Sequence, residues 1–166
     1  MPTEKELDAA FAQSLVANPA FASWLVEQTR FKGRGAKCRS ARSDHPWGKF
    51  PFESLNPATG KSESKLVERE TDVLAIYQAE DGEVLGLHIE NKLARSKFRS
   101  LQAESYAARA AYWVNNQNYG NYTSWETILV APRSFYERHR EASSAFGLFV
   151  PHEEVAGFIP LFRHPA

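Results

Sequence analysis

The chain has 166 residues and a mass of 18.7 kDa, a length that suits one domain with a sizeable core. With 43% apolar residues, 24% charged residues and a single cysteine, Cys38, it is neither a disordered tail, nor a disulfide scaffold, nor a cysteine-built zinc cage. The formal net charge is zero, but the average hides two basic clusters: seven Lys/Arg residues between Arg30 and Lys49 against Asp44 alone, and Lys92, Arg95, Lys97 and Arg99 with no acid between them. Such clusters bind phosphate backbones or simply stand in water.

The N-terminus reads as helix. Thr3 and Glu6 have capping-box spacing, and Leu7, Phe11 and Leu15 follow at helical intervals. Asn18-Pro19 marks a second start, with Phe21, Trp24 and Leu25 on one face up to about Thr29. Residues 30–62 are punctuated by Gly33, Gly35, Pro46, Gly48, Pro51, Pro57 and Gly60 and read as a basic loop. That is long for a structureless connection, so the loop is functional or holds a short strand near Lys49 to Glu53. Val73 to Tyr77 and Val84 to Ile89 are apolar runs with a Glu80-Asp81-Gly82 turn between them, a hairpin signal. Phe98 to Asn115 reads as an alanine-rich helix, Asn115 to Asn121 as a loop, and Trp125 to Val130 as a strand. Ser134 opens a helix to about Ala145, Gly147 to Val150 is a short strand, and an irregular or helical tail runs from Pro151. The order predicts a single α/β domain over 1–166, a mixed sheet with helices packed on it. The polar N-terminus and the lack of a run near the roughly 18 apolar residues of a membrane span predict a cytoplasmic protein away from the membrane.

The chemistry concentrates on the hairpin. Asp72 opens one strand and Glu90-Asn91-Lys92 closes the other. Residues two apart in a strand share a face, so Glu90 and Lys92 project together. A two-residue turn would pair positions summing to 163 and put Asp72 on the opposite face. A three-residue loop with Gly82 left-handed makes the sum 162 and brings Asp72, Glu90 and Lys92 onto one face. The second register is the expectation. Two carboxylates suit a hard divalent cation, which wants oxygen ligands, and a neighbouring lysine suits an attacking water or developing charge. As bare residues they are equally a turn cap and a surface ion pair.

Glu70-Thr-Asp72-Val followed by Leu87-His-Ile-Glu90-Asn-Lys92 resembles the active-site hairpin of the PD-(D/E)XK nuclease superfamily, over roughly residues 64–132. Asp72 and Glu90 match its two acids and Lys92 its lysine; Thr71 stands where the family name has proline. Gln102 and Tyr106, four apart on one helix face, resemble the Gln-x-x-x-Tyr motif of the RecB-like branch. The resemblance implies a restriction-endonuclease-like core in α-β-β-β-α-β order. It also implies a Mg²⁺- or Mn²⁺-dependent nuclease hydrolysing phosphodiesters, in DNA first. Asp72 and Glu90, with the Asn91 carbonyl, would be metal ligands; Lys92 would be catalytic, and Gln102 and Tyr106 supporting. Glu27, late in the N-terminal helical region, is a further candidate acid, and Glu70 a rival ligand. Arg95, Lys97, Arg99, Arg109, Arg34 and Lys37 are the candidate nucleic-acid contacts. A homodimer or larger assembly is compatible with the chain. The competing reading is a non-catalytic module that binds nucleic acid or protein on the same scaffold.

Overall fold

Thr3 caps the first helix as its spacing predicts: its hydroxyl accepts from the Glu6 N–H, and the Glu6 carboxylate accepts from the Thr3 N–H at 2.7 Å. Helix α1 runs Glu4–Ala17 and buries Leu7, Phe11 and Leu15. Asn18 then caps α2, Pro19–Val26, by accepting from the Ala20 and Phe21 N–H groups, with Pro19 in the first turn. The computed structural model describes residues 1–163 of the chain; the end of the expected tail, 164–166, lies outside the described residues.

The segment read as a basic loop is mostly strand. It contains β1, Lys37–Arg42, and β2, Trp47–Leu55, and β2 pairs with β3, Ser62–Glu70, as a separate antiparallel two-stranded ribbon. Two physical causes hid them. In β1 a bulge at Arg39 breaks the period-two alternation, since Cys38 pairs with Tyr77 but Ser40 pairs with Ile76. The ribbon carries its charges and prolines because most of it stands in solvent, with Phe50 the one fully buried side chain.

The remaining strands are β4, Val73–Gln78, β5, Val84–Asn91, β6, Ser124–Ala131, and β7, Leu148–Pro151. With β1 they form a mixed five-stranded sheet in the order β1-β4-β5-β6-β7, antiparallel from β1 to β5 and parallel from β5 to β7. The β4–β5 register pairs Val73 with Ile89 and Gln78 with Val84, so positions sum to 162. The loop is Glu80-Asp81-Gly82, with Gly82 at φ 90°, as the three-residue alternative requires.

One face of the sheet, with Val73, Ala75, Tyr77, Leu87 and Ile89, packs on α1 and α2. The other carries helix α3, Gln102–Tyr112, whose Tyr106 packs with Leu129 and Phe135, while the following Trp113 packs with Leu74, Ile76 and Tyr122. Helix α3 starts four residues later than the alanine-rich pattern suggests; Leu101 at φ 60° is incompatible with an earlier start. The helix expected over 134–145 is two, α4 (Arg133–Arg138) and α5 (Arg140–Ser143), divided at His139; α6 (His152–Val155) begins the tail. No helix among the described residues is long and apolar enough to cross a membrane.

Candidate active site

The register fixes what can meet. His88 and Glu90 point to the α3 side of β5, where His88 touches Trp113 and Tyr122, and Glu90 meets α3. The Glu90 carboxylate is wholly buried and fully engaged. Oε1 takes Lys92 Nζ at 2.6 Å and Gln102 Nε2 at 2.7 Å, and Oε2 takes the Tyr106 hydroxyl. Tyr106 also accepts from the Asp72 N–H at 3.3 Å, so one phenol ties both acidic strands to α3. Thus Asp72, Glu90, Lys92, Gln102 and Tyr106, chosen from sequence, lie together.

The Asp72 carboxylate has a different set of partners. Its Oδ2 accepts from the Asn91 N–H at 3.1 Å, while Oδ1 lies 3.7 Å from His45 Nδ1. Asp8, from α1, takes the Asn91 side-chain amide on Oδ1 at 2.8 Å. Asp8 Oδ2 and His45 Nε2 stand 3.2 Å apart, both buried and neither in a hydrogen bond. One ligand atom from each of Asp8, His45 and Asp72 lies within 4.8 Å of the others. Carboxylate and imidazole atoms that converge with no hydrogen bond between them are the arrangement a bound cation uses, and Asp8 Oδ2 and His45 Nε2 fit such an occupant. The acids invite positive charge electrostatically as well. Burial, then the like charges of Glu90 and Asp8, push the Asp72 carboxyl well above its usual range, and burial pushes Asp8 up to about 6. Burial works against the charge on Lys92, but Glu90 outweighs it and holds the ammonium above its ordinary pKa.

This ligand set differs from the one drawn from sequence. Glu90 spends its oxygens on Lys92, Gln102 and Tyr106, and the Asn91 N–H and side-chain amide hold Asp72 and Asp8, which leaves the Asn91 carbonyl as the ligand atom that the resemblance implies for this residue. Glu27 is not part of the site: its carboxylate accepts from the Gly33 N–H at 3.0 Å, beside Lys37 and Cys38. Glu70 stands on the rim with Oε1 3.5 Å from His45 Nδ1. Asp8 and His45 were missed. Asp8 had a signal, an acid one residue after Leu7 and three before Phe11, inside the apolar stripe of α1. His45 had none in its spacing. Its place shows in the backbone, at φ 52° immediately before Pro46, a sparsely populated conformation of the kind found at ligand sites.

The cleft over these residues holds about 380 Å³ and is edged by Lys97 and Arg99. Both are exposed, as is Arg95 in the same loop. The earlier basic cluster is largely spent. Arg34 pairs with Asp81 at 2.7 Å and Glu83 at 3.3 Å, Arg30 with Glu126, and Arg42 with Asp44. Lys37 sits on the exposed edge strand, beside the separate pocket that Glu27 lines. Glu126, Asp81 and Glu83, distant in sequence, thus offset the charges of Arg30 and Arg34.

Arg109 is not a surface cation either. It is wholly buried under α3, stacked 4.1 Å over the Tyr106 ring, with Nε donating to Thr71 Oγ1 at 3.0 Å. A directed chain follows. The Ala110 carbonyl can only accept, so it takes the Tyr122 hydroxyl proton; Tyr122 then accepts from His88 Nε2–H, which leaves Nδ1 of the neutral ring to accept from the Thr71 hydroxyl, itself an acceptor for Arg109 Nε–H. Burial, then Arg109, keeps the His88 pKa well below its ordinary value, so the imidazole is neutral with its proton on Nε2. Thr71 is thereby fixed one residue ahead of Asp72.

No protein-family model, curated protein or solved structure matches the chain.

Proposed function

We propose that this protein is a metal-dependent nuclease that hydrolyses phosphodiester bonds, in DNA first, on a restriction-endonuclease-like core. The observation that carries the reading is the meeting of the orphaned Asp8 Oδ2 and His45 Nε2, with Asp72 beside them, and the buried Glu90–Lys92 pair in one cleft. Asp72, Asp8 and His45 would hold a divalent cation, whose chemistry is to activate a water and screen the phosphodiester. Two carboxylates with one imidazole suit Mn²⁺ at least as well as Mg²⁺, since imidazole favours the softer ion. Glu90 positions Lys92, and Lys92 carries a proton and a positive charge within reach of the cleft. Gln102 and Tyr106 keep the Glu90 carboxylate in place. Lys97, Arg99 and Arg95 supply the cationic rim for a strand.

The test is a cleavage assay on supercoiled, linear and single-stranded DNA and on RNA, in Mg²⁺, Mn²⁺ or EDTA, with Asp72→Asn alongside. Metal-dependent cutting that the variant loses is expected. Folded protein that neither cuts nor binds metal would overturn the reading in favour of a non-catalytic binding module.

A further inference from the structure

A second pocket, of about 400 Å³, adjoins the cleft and shares Glu70, Arg99 and Gln102 with it. Its floor is Arg109 and one wall is Trp47. The floor poses an electrostatic problem. The guanidinium is fully buried, yet no carboxylate among the described residues lies within 4.0 Å of it; Glu90 and Asp72 act on it only from farther off. Its Nη2 has no hydrogen-bond partner. Aromatic rings of Tyr106, Trp113 and Phe50 surround it at 4.1–5.8 Å. A guanidinium remains charged in a protein, and an uncompensated buried charge is strongly unfavourable. An anion from outside the chain would supply the partner that Nη2 lacks among the described residues.

The pocket identifies its class. Arg69 and Arg99 join Arg109 there, against Glu68 and Glu70; Glu68 already faces Lys49 at 3.5 Å and Glu70 faces His45. An orphan guanidinium N–H suits a phosphate oxygen. The Trp47 indole is 63% exposed at the pocket wall, a platform of the kind on which a nucleobase stacks. The volume is that of a small-molecule site, not of a single ion.

We infer that this pocket is a nucleotide subsite, in which Arg109 takes a phosphate group of a nucleic-acid strand and Trp47 takes the adjoining base. Its place beside the scissile bond rests on the nuclease reading; the phosphate contact does not. Arg109 approaches the ligand from below, held by Thr71 and the Tyr106 ring, so it is oriented before the strand arrives.

The experiment is done without metal, in EDTA, so that binding is separated from cleavage. The Arg109 Nε–H resonance of ¹⁵N-labelled wild-type protein is followed while the single-stranded oligonucleotide (dT)4, inorganic phosphate or thymidine is added. Saturable shifts with (dT)4 and with phosphate, and none with thymidine, are expected. Arg109→Gln should weaken (dT)4 binding about 10- to 100-fold, the span of a charge-assisted hydrogen bond, and lower the salt slope by about 0.7. Trp47→Ala should weaken (dT)4 about tenfold and leave phosphate unaffected. A resonance that ignores (dT)4, or one that answers to thymidine alone, would overturn the inference, and the wild-type titration decides even if Arg109→Gln folds poorly. A response to phosphate without (dT)4 would overturn the strand assignment in favour of a free anion. Shifts with (dT)4 in a protein that neither cuts nor binds metal would leave the subsite standing and remove the nuclease reading; metal-dependent cutting with an indifferent Arg109 would do the reverse.

Discussion

The two halves of the acidic cleft are built on opposite terms. Around Glu90 every carboxylate oxygen has a donor: Lys92, Gln102 and Tyr106 close it completely. Around Asp8, His45 and Asp72 the donors come only from Asn91, and two buried ligand atoms face each other without a hydrogen bond. A buried acid that is fully bonded is part of the scaffold, and one that is half bonded awaits something. The cost of burying charge is similar in both halves, but it is met inside the chain in the first and from outside it in the second.

The largest expected effect is in the closed half. Lys92→Ala leaves the Glu90 carboxylate buried beside a cavity, and urea denaturation should show a loss of about 3–5 kcal/mol; Lys92→Met with Glu90→Gln should recover much of it, because both charges go together. If the single variant costs less than about 1 kcal/mol, the halves are not different in kind. Tyr106→Phe comes next. It removes the donor to Glu90 Oε2 and the acceptor of the Asp72 N–H, an expected loss of about 1–3 kcal/mol by the same measurement. In the open half the sign changes. Asp8→Asn removes a charge that burial disfavours, so metal-free stability should hold or rise, while Mn²⁺ affinity by titration calorimetry should fall at least about tenfold (~1.4 kcal/mol). A smaller effect lies behind both halves. His88 is held neutral below its unfolded pKa near 6.5, so below that pH the unfolded chain takes up a proton that the folded one refuses. The stability advantage of wild type over His88→Gln should therefore shrink as pH falls from 7.5 to 5.5, by up to about 1.4 kcal/mol per pH unit. A difference that does not vary with pH would mean that His88 titrates alike in the folded and unfolded chain, and one that grows as pH falls would mean that it is charged in the folded state.

The same contrast marks what the sequence made legible. The hairpin register, both N-terminal caps and the shared faces of Asp72, Glu90 and Lys92 and of Gln102 and Tyr106 follow from local rules of turn length, strand period and helix spacing, which are properties of neighbours in the chain. Joining the two faces into one site came from the family resemblance. Asp8 and His45 are joined to Asp72 only by packing of α1 and of the turn before β2 on the sheet end, across 64 and 27 residues, roughly, of intervening chain. Likewise the pairing of Arg30 and Arg34 in the basic loop was not legible, because Asp81, Glu83 and Glu126, which offset their charges, are distant in sequence. Of the ribbon only the short strand near Lys49 to Glu53, inside β2, was legible, because a strand that buries little of itself need not alternate in the way a half-buried strand does.

The chain of donors from Arg109 through Thr71, His88 and Tyr122 to the Ala110 carbonyl begins with a group that cannot accept and ends with one that cannot donate. It therefore has one sense only. A row of hydroxyls and imidazole usually offers a route for hopping protons, because each link can be reversed; here reversal is blocked at both ends. What lies under the sheet is a strut rather than a wire: it sets the position of the backbone before Asp72 and conducts nothing to it. A proton released in the cleft finds no exit along this strut.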